Sequence, residues 1–174
     1  LDRRAEEIVH QLVRQGIQVV VKPHPSDAER HAIAGALVVT NDSLLHHGIL
    51  LYQLIGASSG LITDYSSVWI DYLALNRPIA FLVPDSETFA SRRHFNPPDA
   101  LDWLPGERLQ TMEDVETFAE DVGSGGAQSA HRRQEVSNHI GLATGPRVAD
   151  CIIDALVARG VFSGKMNASG EARQ

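Results

Sequence analysis

The sequence has 174 residues, 43% of them hydrophobic, and a formal net charge of −7, which suits one globular domain with a core of its own. The acidic balance argues against a nucleic-acid-binding face, so a bound phosphate needs local donors rather than a basic field. A lone cysteine, Cys151, excludes an internal disulfide, and no apolar run reaches the length of a membrane span. Cys151 lies among Ala149, Ile152 and Ile153 and reads as a core residue. No signal-peptide pattern is present, so a cytoplasmic location is expected. The chain opens at Leu1, without an initiator Met and already in a helical pattern, so a fragment of a longer protein is expected.

Taken in chain order, Leu1–Gln15 reads as an amphipathic helix, with Leu1, Ala5, Ile8, Val9 and Leu12 on one face and Arg3, Arg4, Glu6, Glu7 and Gln11 opposite. Gly16 is its C-cap. The β-branched run Ile17–Lys22 predicts a buried parallel strand, stopped by Pro23-His24-Pro25, whose two prolines stiffen the loop around His24. A short helix is expected over Asp27–Gly35, a strand over Ala36–Thr40, a turn at Asn41-Asp42-Ser43 and a helix over Leu44–Ser58 with Leu51, Leu54 and Ile55 facing inward. The adjacent His46 and His47 diverge on a helix and read as surface residues.

Gly60–Tyr72 carries the densest set of signals. Leu61–Thr63 is a short apolar strand; Asp64-Tyr65-Ser66-Ser67 is a turn of small polar residues; Val68–Leu75 continues as a helix. Ser66 and Ser67 therefore fall at a helix N-terminus, where unpaired N–H groups and partial positive charge favour a phosphate. A plain Ser N-cap, worth about 1 kcal/mol, explains the same residues. After it, Ile79–Val83 predicts a further buried strand ending at Pro84-Asp85. Glu87–Glu107, rich in Pro and aromatics, reads as an ordered functional loop. Helices follow at Met112–Val122, at Ala130–Ile140 beyond the break Gly123–Gly126, and from Gly145 or Pro146 to about Ala158. Ser163–Gln174 is polar and reads as a disordered tail. Alternating strands and helices predict a parallel sheet with right-handed crossovers.

Leu61-Ile62-Thr63-Asp64-Tyr65-Ser66-Ser67-Val68, followed by Asp71-Tyr72 and Arg77-Pro78-Ile79, resembles the signature of the CDP-glycerol glycerophosphotransferase family, the enzymes that build poly(glycerol phosphate) and related chains of teichoic acids and capsules. Lys22-Pro23-His24-Pro25 and Leu104-Pro105-Gly106 fall in the family's order, and the resemblance runs from about residue 1 to about residue 158. It implies a Rossmann-like α/β fold, the C-terminal, donor-binding half of a GT-B transferase, lacking its first strand. That domain is expected over residues 1–160 and the tail over 161–174. The implied reaction moves glycerol phosphate or a related polyol phosphate from a CDP-activated donor to a polymer or lipid-linked acceptor, the latter held by an N-terminal part not in this sequence. This fragment alone is expected to turn over little or nothing. No cofactor, metal or nucleic acid is implied, and the location is cytoplasmic, either free or peripheral on the cytoplasmic face of the membrane.

On this reading His24 is the catalytic candidate: a His held at a strand end can donate to a phosphate oxygen or move a proton near neutral pH. From spacing alone, a loop His satisfied by backbone explains it equally well; the resemblance favours function. Lys22, two residues earlier, leaves the strand on the same face and can pair with a phosphate or with a carboxylate. Ser66 and Ser67 are assigned to the diphosphate, with Thr63 and Asp64 flanking it. Asp64 can bind a sugar hydroxyl, cap the helix or orient His24, and Asp71 reads as structural or functional. Arg92 and Arg93 suit phosphate geometry, with Arg93 the donor-binding candidate, although the family's Arg-Gly-aromatic pattern is here Arg93-His94-Phe95. Gly145 opens a second helix terminus that can face the same phosphates or the solvent; Thr144 stands where the family has Asp. Neither a metal-ligand spacing, a Gly-x-Ser-x-Gly elbow nor a Walker loop is present. Two other readings stand beside this one: a GT-B glycosyltransferase using another sugar nucleotide, and a non-catalytic nucleotide-binding module.

Overall fold

The structure is a computed structural model that describes residues 3–24, 32–86, 88–89, 99–145 and 147–161. Helix α1 (Arg3–Arg14) buries Ala5, Ile8, Val9 and Leu12, the stripe its spacing predicts. Gly16 ends it at φ +79°. The Gly16 N–H donates to Val13 O at 3.0 Å and the Ile17 N–H to Leu12 O at 3.1 Å, a double closure that needs the left-handed residue only glycine adopts without strain. The chain then enters β1 (Val19–Val21), which pairs in parallel with β2 (Ala36–Val38), Val19 opposite Ala36.

A second parallel sheet has the order β3 (Leu61–Thr63), β4 (Ile79–Phe81), β5 (Glu107–Arg108). The central β4 is buried at all three positions, as a continuous apolar run predicts for a parallel strand covered on both faces. Both sheets share one core. Ile8 and Leu12 of α1, Ala80 of β4, Leu109, and Val115, Phe118 and Ala119 of α5 (Met112–Gly123) form its buried centre, with Val19 of β1 and Ile62 of β3 packed against it. Each fully buried aliphatic or aromatic side chain there contributes about 1.5–3 kcal/mol.

Two local expectations are corrected and two are refined. Asn41–Ser43 is no turn but the opening of α2 (Asn41–His46): Thr40 Oγ1 accepts from the Ser43 N–H at 3.1 Å while Ser43 Oγ accepts from the Thr40 N–H at 2.8 Å, a reciprocal cap that starts a helix. The mostly helical stretch Leu44–Ser58 is interrupted: Gly48, at φ +66°, separates α2 from α3 (Leu51–Ala57). The last part of the stretch 87–107 is a loop with one short element. It passes through a 3₁₀ turn, Ala100–Trp103, into β5, whose two residues are too few to show a strand period. Arg4, expected on the solvent face of α1, is half-buried and donates from Nη2 to Leu109 O at 2.7 Å. The helix after β3 is α4 (Val68–Leu73) and the next after α5 is α6 (Ala130–His139).

The chain divides into two compact units, 1–140 and 141–174. In the second, α7 (Val148–Ala158) starts with Arg147 as its N-cap and carries no buried residue. Cys151 is accordingly exposed and not the core residue its apolar neighbours suggested. The helix expected over Asp27–Gly35 falls largely outside the described residues, and the stretch with Arg92 and Arg93 and the tail from Ser163 fall there entirely.

Candidate functional site

The exits of β1 and β3 carry most of the residues singled out by sequence. Lys22 is half-buried just beyond β1, with no carboxylate partner among the described residues, and His24 follows, exposed, after the buried Pro23. Thr63 ends β3 half-buried, and Asp64, Ser66 and Ser67 are exposed beyond it. The turn is shaped locally. Asp64 Oδ1 accepts from the Ser66 N–H at 2.9 Å, so Asp64 closes the turn rather than capping α4 itself. Ser67 is the N-cap residue, without a side-chain cap bond, and Ser66 Oγ lies 3.5 Å from the Val68 N. Ser66 Oγ thus accepts a long bond from the first N–H of α4, whereas the Ser67 side chain makes no cap bond. Gly145 belongs to the second unit, exposed at φ +117° and two residues ahead of the α7 N-cap. Arg93 is outside the described residues. The two strand exits belong to separate hydrogen-bonded ladders built on one core.

Of the turn's other neighbours, the sequence reads Asp71 as structural or functional and assigns Tyr65 no role. Tyr65, inside it, donates its hydroxyl to Asp85 Oδ1 at 2.7 Å, and its ring stacks on Phe89 with centroids 3.8 Å apart and planes 15° from parallel. Burial, then the bond to Asp85, pushes the Tyr65 phenol well above its ordinary value, so it stays a donor throughout the neutral range. Asp71 accepts from the Tyr52 hydroxyl at 2.9 Å, joining α3 to α4. The signal for Tyr65 was legible: a large aromatic in a turn of small polar residues must find somewhere to pack.

The far end of α4 is fixed by a buried hub. Arg133 of α6 is 1% exposed. It donates to Asn76 Oδ1 at 3.0 Å, to Asn76 O at 3.1 Å, to Gly126 O at 2.6 Å and to Ser129 Oγ, with Asp121 Oδ2 at 3.6 Å. Asn76 sits at φ +49°, a left-handed position Asn tolerates, and the guanidinium grips both its side chain and its carbonyl.

Two cavities border the sheet. One of about 300 Å³ lies at the carboxyl ends of β4 and β5, lined by residues that include Arg4, Val83, Pro84, Ser86 and Gln110, on the side where open α/β sheets bind ligands. A larger one, about 710 Å³, runs beside β5 and α5, and neither cavity is lined by a site residue proposed from sequence. Among the described residues no three His, Cys, Asp or Glu side chains form a metal-binding group, and no helix is long and apolar enough to cross a membrane.

Parallel strands connected through helices define an α/β domain. The comparisons then place it. The family described as CDP-glycerol:poly(glycerophosphate) glycerophosphotransferase matches residues 3–157, and the chain belongs to that family. It is 35% identical over 112 residues to a teichoic acid ribitol-phosphate primase of Bacillus spizizenii, covering 62% of this chain and 28% of the relative. It is 36% identical over 72 residues to a teichoic acid poly(glycerol phosphate) polymerase of Bacillus subtilis, covering 41% of this chain and 10% of the relative. A polymerase of the same description from Bacillus spizizenii is 46% identical over 55 residues, 32% of this chain and 14% of the relative. The matched part thus spans little more than a quarter of these relatives at most. No solved structure matches the chain.

Proposed function

We propose that this chain supplies the donor site of a transferase that moves glycerol phosphate, or a related polyol phosphate, from a CDP-linked donor to a cell-wall or capsule polymer acceptor. The observation that carries it is the β3–turn–α4 unit, with exposed Ser66 and Ser67 hydroxyls beyond a half-buried strand, in a chain the family covers from residue 3 to 157. On this reading the domain is the C-terminal half of a GT-B fold, completed by a strand ahead of α1. The acceptor half, and any peripheral membrane contact, lie in a further part of the protein.

The Ser66 and Ser67 hydroxyls and the Ser67 N–H hold the donor diphosphate, Thr63 and Asp64 flank it, and Lys22 pairs with phosphate charge. Arg93 and Gly145 remain further donor-binding candidates from the sequence. An acceptor hydroxyl oxygen attacks the β-phosphorus, the new P–O bond forms as the bond to CMP breaks, and the hydroxyl proton passes to a base. His24 stabilises the developing charge or moves that proton. Positioning and electrostatic stabilisation do most of the work in such a transfer. The test is turnover of CDP-glycerol by the intact longer protein, read as CMP release. His24→Ala is expected to lower kcat by about a hundredfold or more, with little change in donor affinity. Full turnover by His24→Ala, or indifference between CDP- and UDP-linked donors, contradicts the proposal.

A further inference from the structure

Within the 64–67 turn Asp64 Oδ1 holds the Ser66 N–H at 2.9 Å, but its attachment to α4 is slight: Ser67 caps the helix with no side-chain bond, and Ser66 Oγ stands 3.5 Å from the Val68 N. Its tie to the neighbouring strand runs through Tyr65. The Tyr65 hydroxyl reaches Asp85 Oδ1 at 2.7 Å and its ring lies flat on Phe89. Asp85 also accepts, through its carbonyl, from the Phe89 N–H at 2.9 Å. The segment leaving β4 therefore curls so that both contacts fall on one side chain. Below this point β3 and β4 are in register, with the Leu82 N–H on Thr63 O at 2.8 Å.

We propose that Tyr65 is a positioning residue of the donor site: by bonding Asp85 and stacking on Phe89 it fixes the turn against the exit of β4 and so holds the Ser66 and Ser67 donors in place. This rests on the donor-site reading above. A turn that must direct several donors at one diphosphate loses affinity for every degree of freedom it has to freeze on binding. A stacked tyrosine is suited to remove that freedom, having two side-chain torsions and a hydroxyl whose reach the stack defines. Tyr65 touches no phosphate in this scheme; it acts through the backbone of its two neighbours.

The experiment uses this chain, isotopically labelled, with CDP as the probe. Tyr65→Phe keeps the stack and loses the hydroxyl, Asp85→Ala loses the acceptor, and Asp85→Asn keeps an Oδ1 acceptor. The expected result is that the Ser66 and Ser67 amide resonances move in Tyr65→Phe and Asp85→Ala but return toward wild type in Asp85→Asn. The same two variants are expected to bind CDP about five- to tenfold more weakly while remaining folded at the temperature of the titration. Unmoved Ser66 and Ser67 amides, or wild-type CDP affinity in Tyr65→Phe, overturns the proposal. If the wild-type chain itself does not bind CDP, the donor-site reading fails and the positioning role falls with it, while amides that still move show that Tyr65 holds the turn.

Discussion

Replacing Arg133 by Met removes a guanidinium that is 1% exposed and bonded to Asn76 twice, to Gly126 O and to Ser129, with Asp121 as its counter-charge. Methionine fills much of the space, so the cost is mainly electrostatic. The carbonyls of Asn76 and Gly126 lose a buried donor, and the buried Asp121 keeps only the Gln128 N–H, at 2.8 Å, and the Ser129 hydroxyl. Breaking a buried ion pair from one side costs about 3–5 kcal/mol, against a total stability of about 5–15 kcal/mol for a domain. At about 2–4 °C per kcal/mol for a chain of this size, the melting midpoint falls by roughly 6–20 °C. Thermal and urea melts followed by circular dichroism read this directly. Adding Asp121→Asn to Arg133→Met removes the stranded charge, so the double variant is expected to be more stable than the sum of the single costs by about 1 kcal/mol or more. Because the hub grips Asn76 just beyond α4, Arg133→Met is also expected to weaken ligand binding at the 64–67 turn. A melting midpoint within about 2 °C of wild type refutes the reasoning.

Gly106→Ala places a Cβ 1.7 Å from Ile79 O, a backbone atom that cannot step aside; β5 is expected to separate from β4, seen as faster amide exchange at Leu109, whose N–H donates to Phe81 O at 2.9 Å. Asp114 accepts from the Thr111 N–H at 2.7 Å and the Gln110 N–H at 2.8 Å, and these backbone bonds, Thr111 foremost, hold its carboxyl below the ordinary value of 3.8. Asp114→Ala is expected to cost about 1–2 kcal/mol at neutral pH. The difference closes as pH falls below 3.8 through the lower folded value, where the carboxylate's contribution is lost; urea midpoints at about pH 7 and pH 2 check both. The Tyr65 phenol is raised, so its contribution is complete below the ordinary value of 10.0 and is lost as pH climbs through the raised folded value. The stability gap between wild type and Tyr65→Phe is therefore expected to hold up to pH 10.0 and to shrink above it.

Where apolar period and punctuation agree, the elements are legible. Ile8, Val9 and Leu12 announce α1, Gly16 announces its end, and Leu61–Thr63 announces β3. The misses have physical causes. The Thr40–Ser43 cap is made of the same small polar residues that make turns, and only the reciprocal bonds distinguish the two. β5 exists because Gly106 lets the backbone close on Ile79, a tertiary fact invisible in a two-residue strand. Arg133 reads as a surface charge on a polar helix, and nothing local reveals that Asn76, 57 positions earlier, is its partner. At the site, the residue types and their strand-exit positions are legible at Lys22, His24, Ser66 and Ser67. The Tyr65–Asp85 tie, 20 residues apart, is set by the β3–β4 register and emerges only in the fold.

On the proposed function, the exits of β1 and β3 hold a cytidine diphosphate donor. Calorimetric titration of this chain with CDP, with UDP and GDP as controls, tests it most directly when repeated on Lys22→Ala and on Ser66→Ala/Ser67→Ala. Binding selective for CDP and weakened at least about tenfold by each change is the predicted result. Equal binding of the three nucleotides, or CDP affinity unaltered by either change in a folded chain, contradicts the account.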